Sequence, residues 1–107
     1  MEIQFENQKV QKSMSDMKEL TAKIGLSMAK TVKQRYNQLE ACENFEQYMK
    51  TGLGVPHPLN SNLKQCYAIR ITGNYRLVVE PENLGSKIII IKGVLDYHGT
   101  KNEWIIP

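Results

Sequence analysis

Three side chains with complementary acid–base chemistry stand next to one another late in the sequence. Asp96, Tyr97 and His98 place a carboxylate, a phenol and an imidazole in consecutive positions. Side chains of these types take and give protons in general acid–base catalysis. The triplet is equally typical of the polar end of a β-strand. Its meaning therefore depends on which other groups the fold brings near it.

A second imidazole lies in the loop "GLGVPHPLNSN". His57 stands between Pro56 and Pro58, and a residue that precedes proline favours extended backbone. The sequence therefore predicts that His57 is held on a stiffened loop and not in a helix. A loop histidine is most often only solvated, so both readings stay open at this point.

The segments "YAIRI" and "YRLVVE", separated by "TGN", predict a β-hairpin. A two-residue loop would mix polar and apolar side chains on both faces. A three-residue loop, Thr72 to Asn74, pairs Ile71 with Tyr75 and Ile69 with Leu77 and gives one apolar face. We therefore predict the second register.

That register has a consequence for charge. It sets Arg70 directly opposite Arg76 on the polar face, and like charges in such positions repel unless an anion lies between them. Guanidinium groups bind phosphates and carboxylates well. The hairpin therefore predicts a site for a phosphate or for a partner's carboxylate.

The remaining segments predict the elements that position these groups. "MEIQF" alternates as a short strand, and apolar residues at helical spacing predict one helix from about Asn7 to Gly25. They predict a second helix that Ser27 caps and that ends before Gly52. Together they would form an antiparallel helix hairpin. "KIIIIKGVLDYH" predicts a strand that is central or covered on both faces, with a bulge possible at Gly93. "NEWIIP" predicts an edge strand, a packed tail or a patch that a partner covers. The expected fold is α+β, with an antiparallel sheet.

Composition limits the class of protein. The 107 residues carry a net charge of +3 and are 41% hydrophobic, which predicts one globular domain over residues 1–107 and permits binding to polyanions. No stretch resembles a membrane span or a signal peptide, so a cytoplasmic location is expected. Cys42 and Cys66 lack metal-binding spacing, which predicts free thiols, no metal site and no cofactor.

The stretch "HPLNSNLKQCYAIRITGNYRLVVEP", followed by "DYH", resembles the RelE/ParE superfamily of bacterial type II toxins. Within it, the motifs are similar to those of the HigB branch, the plasmid maintenance killer proteins. The resemblance covers residues 55–98 closely and the N-terminal half only by the order of elements. Gln65 and Cys66 stand where this branch usually has a glycine, which leaves the placement of Lys64 open.

The resemblance implies a RelE-like microbial RNase fold and a metal-independent endoribonuclease that cuts mRNA on the 70S ribosome and inhibits translation. A cognate HigA-like helix-turn-helix antitoxin would silence it. A ribose 2′-hydroxyl attacks the adjacent phosphate in such a reaction, which requires a base, an acid and cations. The resemblance implies His57 and His98 as the acid–base pair, Asp96 as an orienting group or a base, and Tyr97 as a stacking or hydrogen-bonding group.

The same resemblance implies Arg76, Arg70 and Lys64 as the phosphate clamp, with Arg76 the strongest member. Several alternatives stay open. Tyr97 is as typical of core packing as of a substrate contact. Asp96 could instead cap a turn before Gly99, and Arg70 could face the antitoxin and not RNA. The whole chain also fits a ParE-like toxin that inhibits gyrase, or a non-catalytic binding module of the same fold.

Overall fold

A computed structural model describes residues 1–98 and 101–107, except for the side chains of Ser61, His98 and Lys101. Its elements confirm the α+β class. In chain order they are β1 (Glu2–Phe5), α1 (Gln8–Ser15), α2 (Met17–Ile24), α3 (Leu26–Ala41), α4 (Phe45–Thr51), β2 (His57–Pro58), a 3₁₀ turn (Ser61–Leu63), β3 (Tyr67–Thr72), β4 (Tyr75–Pro81), β5 (Ile88–His98) and β6 (Lys101–Ile106).

The strands form one sheet in the order β1-β5-β4-β3-β2, with β6 also paired to β5. The prediction that the isoleucine-rich strand is central is confirmed, because β5 pairs with β1, β4 and β6. The "NEWIIP" segment forms β6. The sheet is mixed and not wholly antiparallel, since β1 runs parallel to β5. A parallel pair needs a long crossover connection, and the helical layer lies within the one that joins these two strands.

Each of the two predicted helices is broken once, so the simple helix hairpin is wrong in detail. Asp16 has extended backbone between α1 and α2, and its carboxylate accepts a hydrogen bond from the Lys18 amide. Asn44 caps α4 in the same way through the Gln47 amide. Gly25, with φ +85°, is the N-cap residue of α3. The predicted cap, Ser27, therefore lies inside the helix. Polar caps interrupt an apolar stripe that remains nearly continuous.

The hairpin register is confirmed over most of its length. Ile69 pairs with Leu77, and Arg70 stands opposite Arg76. The predicted pairing of Ile71 with Tyr75 is wrong, because the register shifts after Arg70 and Thr72 faces Tyr75. An irregularity in β3 therefore takes up the extra residue that the prediction had placed in the loop.

A bulge in β5 also confirms an expectation. Val78 pairs with Gly93 but Val79 pairs with Ile91, which leaves Lys92 as the extra residue. Gly93 has φ +145°, and a Cβ atom on it would lie 2.0 Å from the carbonyl oxygen of Ile106. Only glycine fits here. The bulge reverses the alternation of side chains along the rest of β5.

The helices cover one face of the sheet and enclose the main core. Its fully buried residues come from helices and strands alike: Val10, Leu20, Ala29, Leu39, Phe45, Tyr48, Ile69, Leu77, Val79, Ile89 and Val94. None of the described helices combines the length and the apolar character that a membrane crossing would need.

The opposite face, which we call the outer face, has a smaller core. Cys66, Val78 and Leu95 are buried there, and Tyr97 packs against them. Because side chains alternate along β4, Arg76 lies on this face as Val78 does. The outer face therefore carries most of the charged groups that the sequence singled out.

Candidate functional site

Arg76 and Tyr97 meet at one end of the outer face. The guanidinium carbon of Arg76 lies 5.4 Å from the centre of the Tyr97 ring, within the range of a cation–π contact. The Tyr97 amide donates to the carbonyl oxygen of Asn74 in the hairpin turn at 2.7 Å. The turn and the bulge at Gly93 therefore fix both side chains on the same face.

The guanidinium group of Arg76 is only partly satisfied by the protein. Its Nη1 atom donates to the carbonyl oxygens of Gly73, at 2.7 Å, and Tyr75, at 3.0 Å. Its Nε atom is buried, and no described residue accepts a hydrogen bond from it. A buried donor without an acceptor is costly, so the described residues leave part of the hydrogen-bonding capacity of Arg76 unused.

Arg70 adds a second positive charge. It is exposed on β3, directly opposite Arg76. In the part of the chain that the structure describes, neither arginine has a carboxylate within ion-pair distance. The predicted like-charge pair is therefore present, and nothing described in the protein neutralises it.

His57 lies beside this cluster. It opens β2, which pairs with β3 so that His57 faces Ala68. His57 and Tyr97 line one groove of about 440 Å³, together with Pro58, Leu59, Leu63 and three asparagines, Asn60, Asn62 and Asn102. The structure thus brings His57 and Tyr97 to a common groove, and Tyr97 to Arg76.

Sequence reasoning missed the asparagines of this groove. The "NSN" run in the loop is a signal that could have indicated Asn60 and Asn62. Asn102 had no such signal, because it reaches the groove through the pairing of β6 with β5, where it stands opposite Tyr97. Amide side chains both donate and accept hydrogen bonds, which suits them to the edges of nucleobases.

The protonation of Tyr97 limits its chemistry. Burial raises the pKa of Tyr97 above the ordinary value of a phenol, although the positive charge of Arg76 opposes this rise. At neutral pH the side chain is therefore a neutral phenol. It can donate a hydrogen bond or stack on a nucleobase, but it does not act as a general base.

Two other predicted residues lie away from this cluster. Val94 faces the helices whereas Leu95 and Tyr97 belong to the outer face, so alternation places Asp96 on the face opposite Tyr97. Lys64 is exposed and lines two hollows that both include Glu80. Lys64, which precedes the Gln65–Cys66 departure from the HigB pattern, therefore lies towards the other end of the outer face.

For His98 the structure gives only a backbone position, as the last residue of β5 opposite Lys101. Its side chain, with the expected acid–base role, lies outside the described part of the molecule. Gly99, the turn residue that Asp96 was considered to cap, also lies outside it.

The cysteines are free, as predicted, and Cys66 is buried. Burial, followed by the negative charge of Glu80, raises the pKa of the Cys66 thiol, so it is not a ready nucleophile. Among the side chains that the structure describes, which do not include that of His98, no cluster of three or more His, Cys, Asp or Glu residues is arranged to hold a metal ion.

Known proteins share this architecture. The chain matches no protein-family model and no curated protein sequence. Among solved structures it is similar to the YoeB–YefM complex from Staphylococcus aureus, with a TM-score of 0.60 and 22% identity over 92% of this chain and 98% of that chain. It is also similar to a YoeB/ParE toxin from Agrobacterium tumefaciens, with a TM-score of 0.62 and 15% identity over 92% of this chain and 100% of that chain. The chain therefore has the fold of the RelE/ParE toxins.

Proposed function

We propose that this protein is the toxin of a type II toxin–antitoxin system and that it cuts mRNA on the ribosome. The observation that carries the proposal is the pair of Arg76 and Tyr97, a cation with an unsatisfied buried donor held against a neutral phenol. Such a pair is suited to an RNA phosphate beside a stacked base. The HigB-like motifs and a fold shared with YoeB toxins support the same conclusion.

The proposed reaction needs no metal. A general base takes the proton of a ribose 2′-hydroxyl, O2′ forms a bond to phosphorus, and the bond from phosphorus to O5′ breaks. A general acid then gives a proton to O5′. The fragments end in a 2′,3′-cyclic phosphate and a 5′-hydroxyl. Arg76, helped by Arg70, stabilises the extra negative charge of the transition state.

Roles follow for the remaining residues. His57 and His98 form the acid–base pair, and Tyr97 donates a hydrogen bond or stacks on a base. For Asp96 we propose that it orients an imidazole and is not itself the base, because it lies on the face opposite Tyr97. Lys64 contacts the RNA backbone further along the outer face. A helix-turn-helix antitoxin of the HigA type is the proposed partner, alongside the ribosome and mRNA.

The test is end mapping of mRNA on purified translating ribosomes with wild-type protein. We expect cuts within the message that carry the two end groups above. His57→Ala and Arg76→Ala should each slow cleavage by about 100-fold or more, whereas Lys30→Ala, on an exposed part of α3, should not. Intact messages together with inhibited DNA supercoiling by gyrase would replace this proposal with the ParE-like one.

A further inference from the structure

The loop that leads to His57 is anchored at several points. The hydroxyl of Tyr48 donates to the carbonyl oxygen of Leu53 at 2.7 Å, and the Arg70 amide donates to the carbonyl oxygen of Gly54, also at 2.7 Å. A Cβ atom on Gly54 would lie 2.4 Å from the side chain of Ile69. The loop is therefore pressed against the core and has little freedom to shift.

Directly after these anchors, Val55 adopts an unfavourable backbone conformation. Its φ is +47°, the one positive φ at a non-glycine position among the described residues. Branching at Cβ makes this region especially costly for valine. Pro56 follows and disfavours the right-handed helical alternative for Val55. Strain of this kind persists only where the surroundings determine the conformation, and it is concentrated at functional sites.

The strained residue presents its carbonyl group to His57. The Val55 oxygen lies 3.2 Å from Nδ1 of the His57 ring. A carbonyl oxygen can only accept a hydrogen bond, so this contact favours the tautomer that carries the hydrogen on Nδ1. In the neutral ring, Nε2 then holds the lone pair.

We propose that the main-chain carbonyl of Val55, held by the anchored loop and by Pro56, positions His57 in its Nδ1–H tautomer, with Nε2 as the basic nitrogen. The catalytic meaning rests on the proposed function: His57 is the general base and takes the 2′-hydroxyl proton at Nε2. The electron pair of the broken bond from phosphorus to O5′ leaves on O5′, which takes its proton from the general acid of the pair. Val55 itself is a positioning residue.

The tautomer can be measured on the free protein, without ribosomes. Long-range ¹H–¹⁵N correlation spectra of ¹⁵N-labelled protein, recorded where the ring is neutral, distinguish the two tautomers of His57. We expect Nδ1–H in the wild type. Pro56→Ala makes the right-handed helical region accessible to Val55. The Val55 carbonyl can then turn away from His57, and the Nε2–H form should become the major one. Val55→Gly keeps the conformation accessible without a side chain, so it should retain Nδ1–H and raise the melting temperature.

A wild-type spectrum of the Nε2–H tautomer overturns the proposal, and so does an Nδ1–H spectrum that persists unchanged in Pro56→Ala. Because these spectra need no substrate, the Nδ1–H form in a protein that leaves mRNA uncut would reject the proposed function but keep the positioning.

Kinetics test whether the loop acts through His57. We expect Pro56→Ala to lower the cleavage rate by about tenfold, the size of one lost hydrogen bond to a reacting group, and to alter its pH profile. In a His57→Ala background the same substitution should have no further effect. A full tenfold loss in that background would show that Pro56 acts elsewhere and would overturn the assignment.

Discussion

The two ends of the outer face hold their positive charges in opposite ways. At one end, Lys92 forms ion pairs with Glu6 and Glu80, which connects β5 with the end of β1 and with β4. At the other end, Arg70 and Arg76 face each other, and no carboxylate from the described residues lies within ion-pair distance. Arg76 and Glu80 stand four residues apart on β4, or roughly 13 Å.

The difference indicates that cations without an ion-pair partner, and not charge alone, mark the candidate site. Lys92 is a cation whose partners already lie in the protein, so it joins strands and has little electrostatic attraction left for a ligand. Among the described residues, Arg76 donates to two carbonyl oxygens and lies against the Tyr97 ring, and its Nε atom lacks an acceptor. A cation left in this state is organised in advance for an anion.

The largest expected effect tests the bulge that assigns Tyr97 to the Arg76 end. In Gly93→Ala the new Cβ would lie 2.0 Å from the Ile106 oxygen at a φ of +145°, so we expect the free energy of unfolding to fall by about 3 kcal/mol or more. Urea denaturation measures this. Gly73→Ala is the matched control, since its φ is also positive but no atom lies within 4 Å, and about 1 kcal/mol is expected.

A Gly93→Ala protein as stable as the control would mean that β5 accommodates the extra atom. The bulge would then not be what fixes Tyr97 on the outer face, and the contrast between the two ends would lose its structural basis.

The next effect tests the contrast itself with one chemical change at each end. Arg76→Gln and Lys92→Gln both remove one cation from the outer face. We expect Arg76→Gln to slow ribosomal mRNA cleavage by about 100-fold and Lys92→Gln to leave it within about threefold, because Lys92 is already neutralised by its partners. Single-turnover cleavage rates measure both.

Equal losses in the two variants would contradict this interpretation. They would indicate that the RNA responds to the total charge of the face and not to the unpaired arginines. A repeat at higher salt separates the two cases further, since long-range attraction is screened whereas a direct phosphate contact is much less so.

Part of this contrast was predictable from sequence. The opposition of Arg70 and Arg76 followed from matching apolar positions across the hairpin, because register determines which face every side chain occupies. The breaks at Asp16 and Asn44 were missed because the apolar stripe runs through them. Gln47 follows Asn44 at capping-box spacing, and its side-chain oxygen accepts from the Glu43 amide, a signal that the stripe outweighed.

Other features depend on contacts between distant segments and had no local signal. The sequence raised the bulge at Gly93 as a possibility, but the close approach of the Ile106 carbonyl, which requires glycine there, comes from the pairing of β6. The positive φ of Val55 is imposed by a loop anchored on Tyr48 and Arg70. No rule of residue preference places a valine in that conformation.

The smallest expected effect concerns the Lys92 end alone. Burial by itself lowers the pKa of Lys92, but the hydrogen bonds and negative charges of Glu6 and Glu80 outweigh this and raise it. The folded protein therefore holds this proton more tightly than the unfolded chain does. Its contribution to stability is fully present below about pH 10 and is lost as pH rises through the raised pKa.

We therefore expect wild type to exceed Lys92→Met in unfolding free energy by about 1 kcal/mol at neutral pH, the size of two partly exposed ion pairs. The difference should shrink as the pH rises above about 10. Burial also raises the pKa of Tyr48, to about 12, so stability falls in the same range for an independent reason. Comparing the two proteins at each pH cancels the contribution of Tyr48 to the unfolding free energy, because both contain this residue. A difference that stays constant to high pH would mean that Lys92 stabilises the sheet through its alkyl chain, and that its charge is as available to a ligand as that of Arg76.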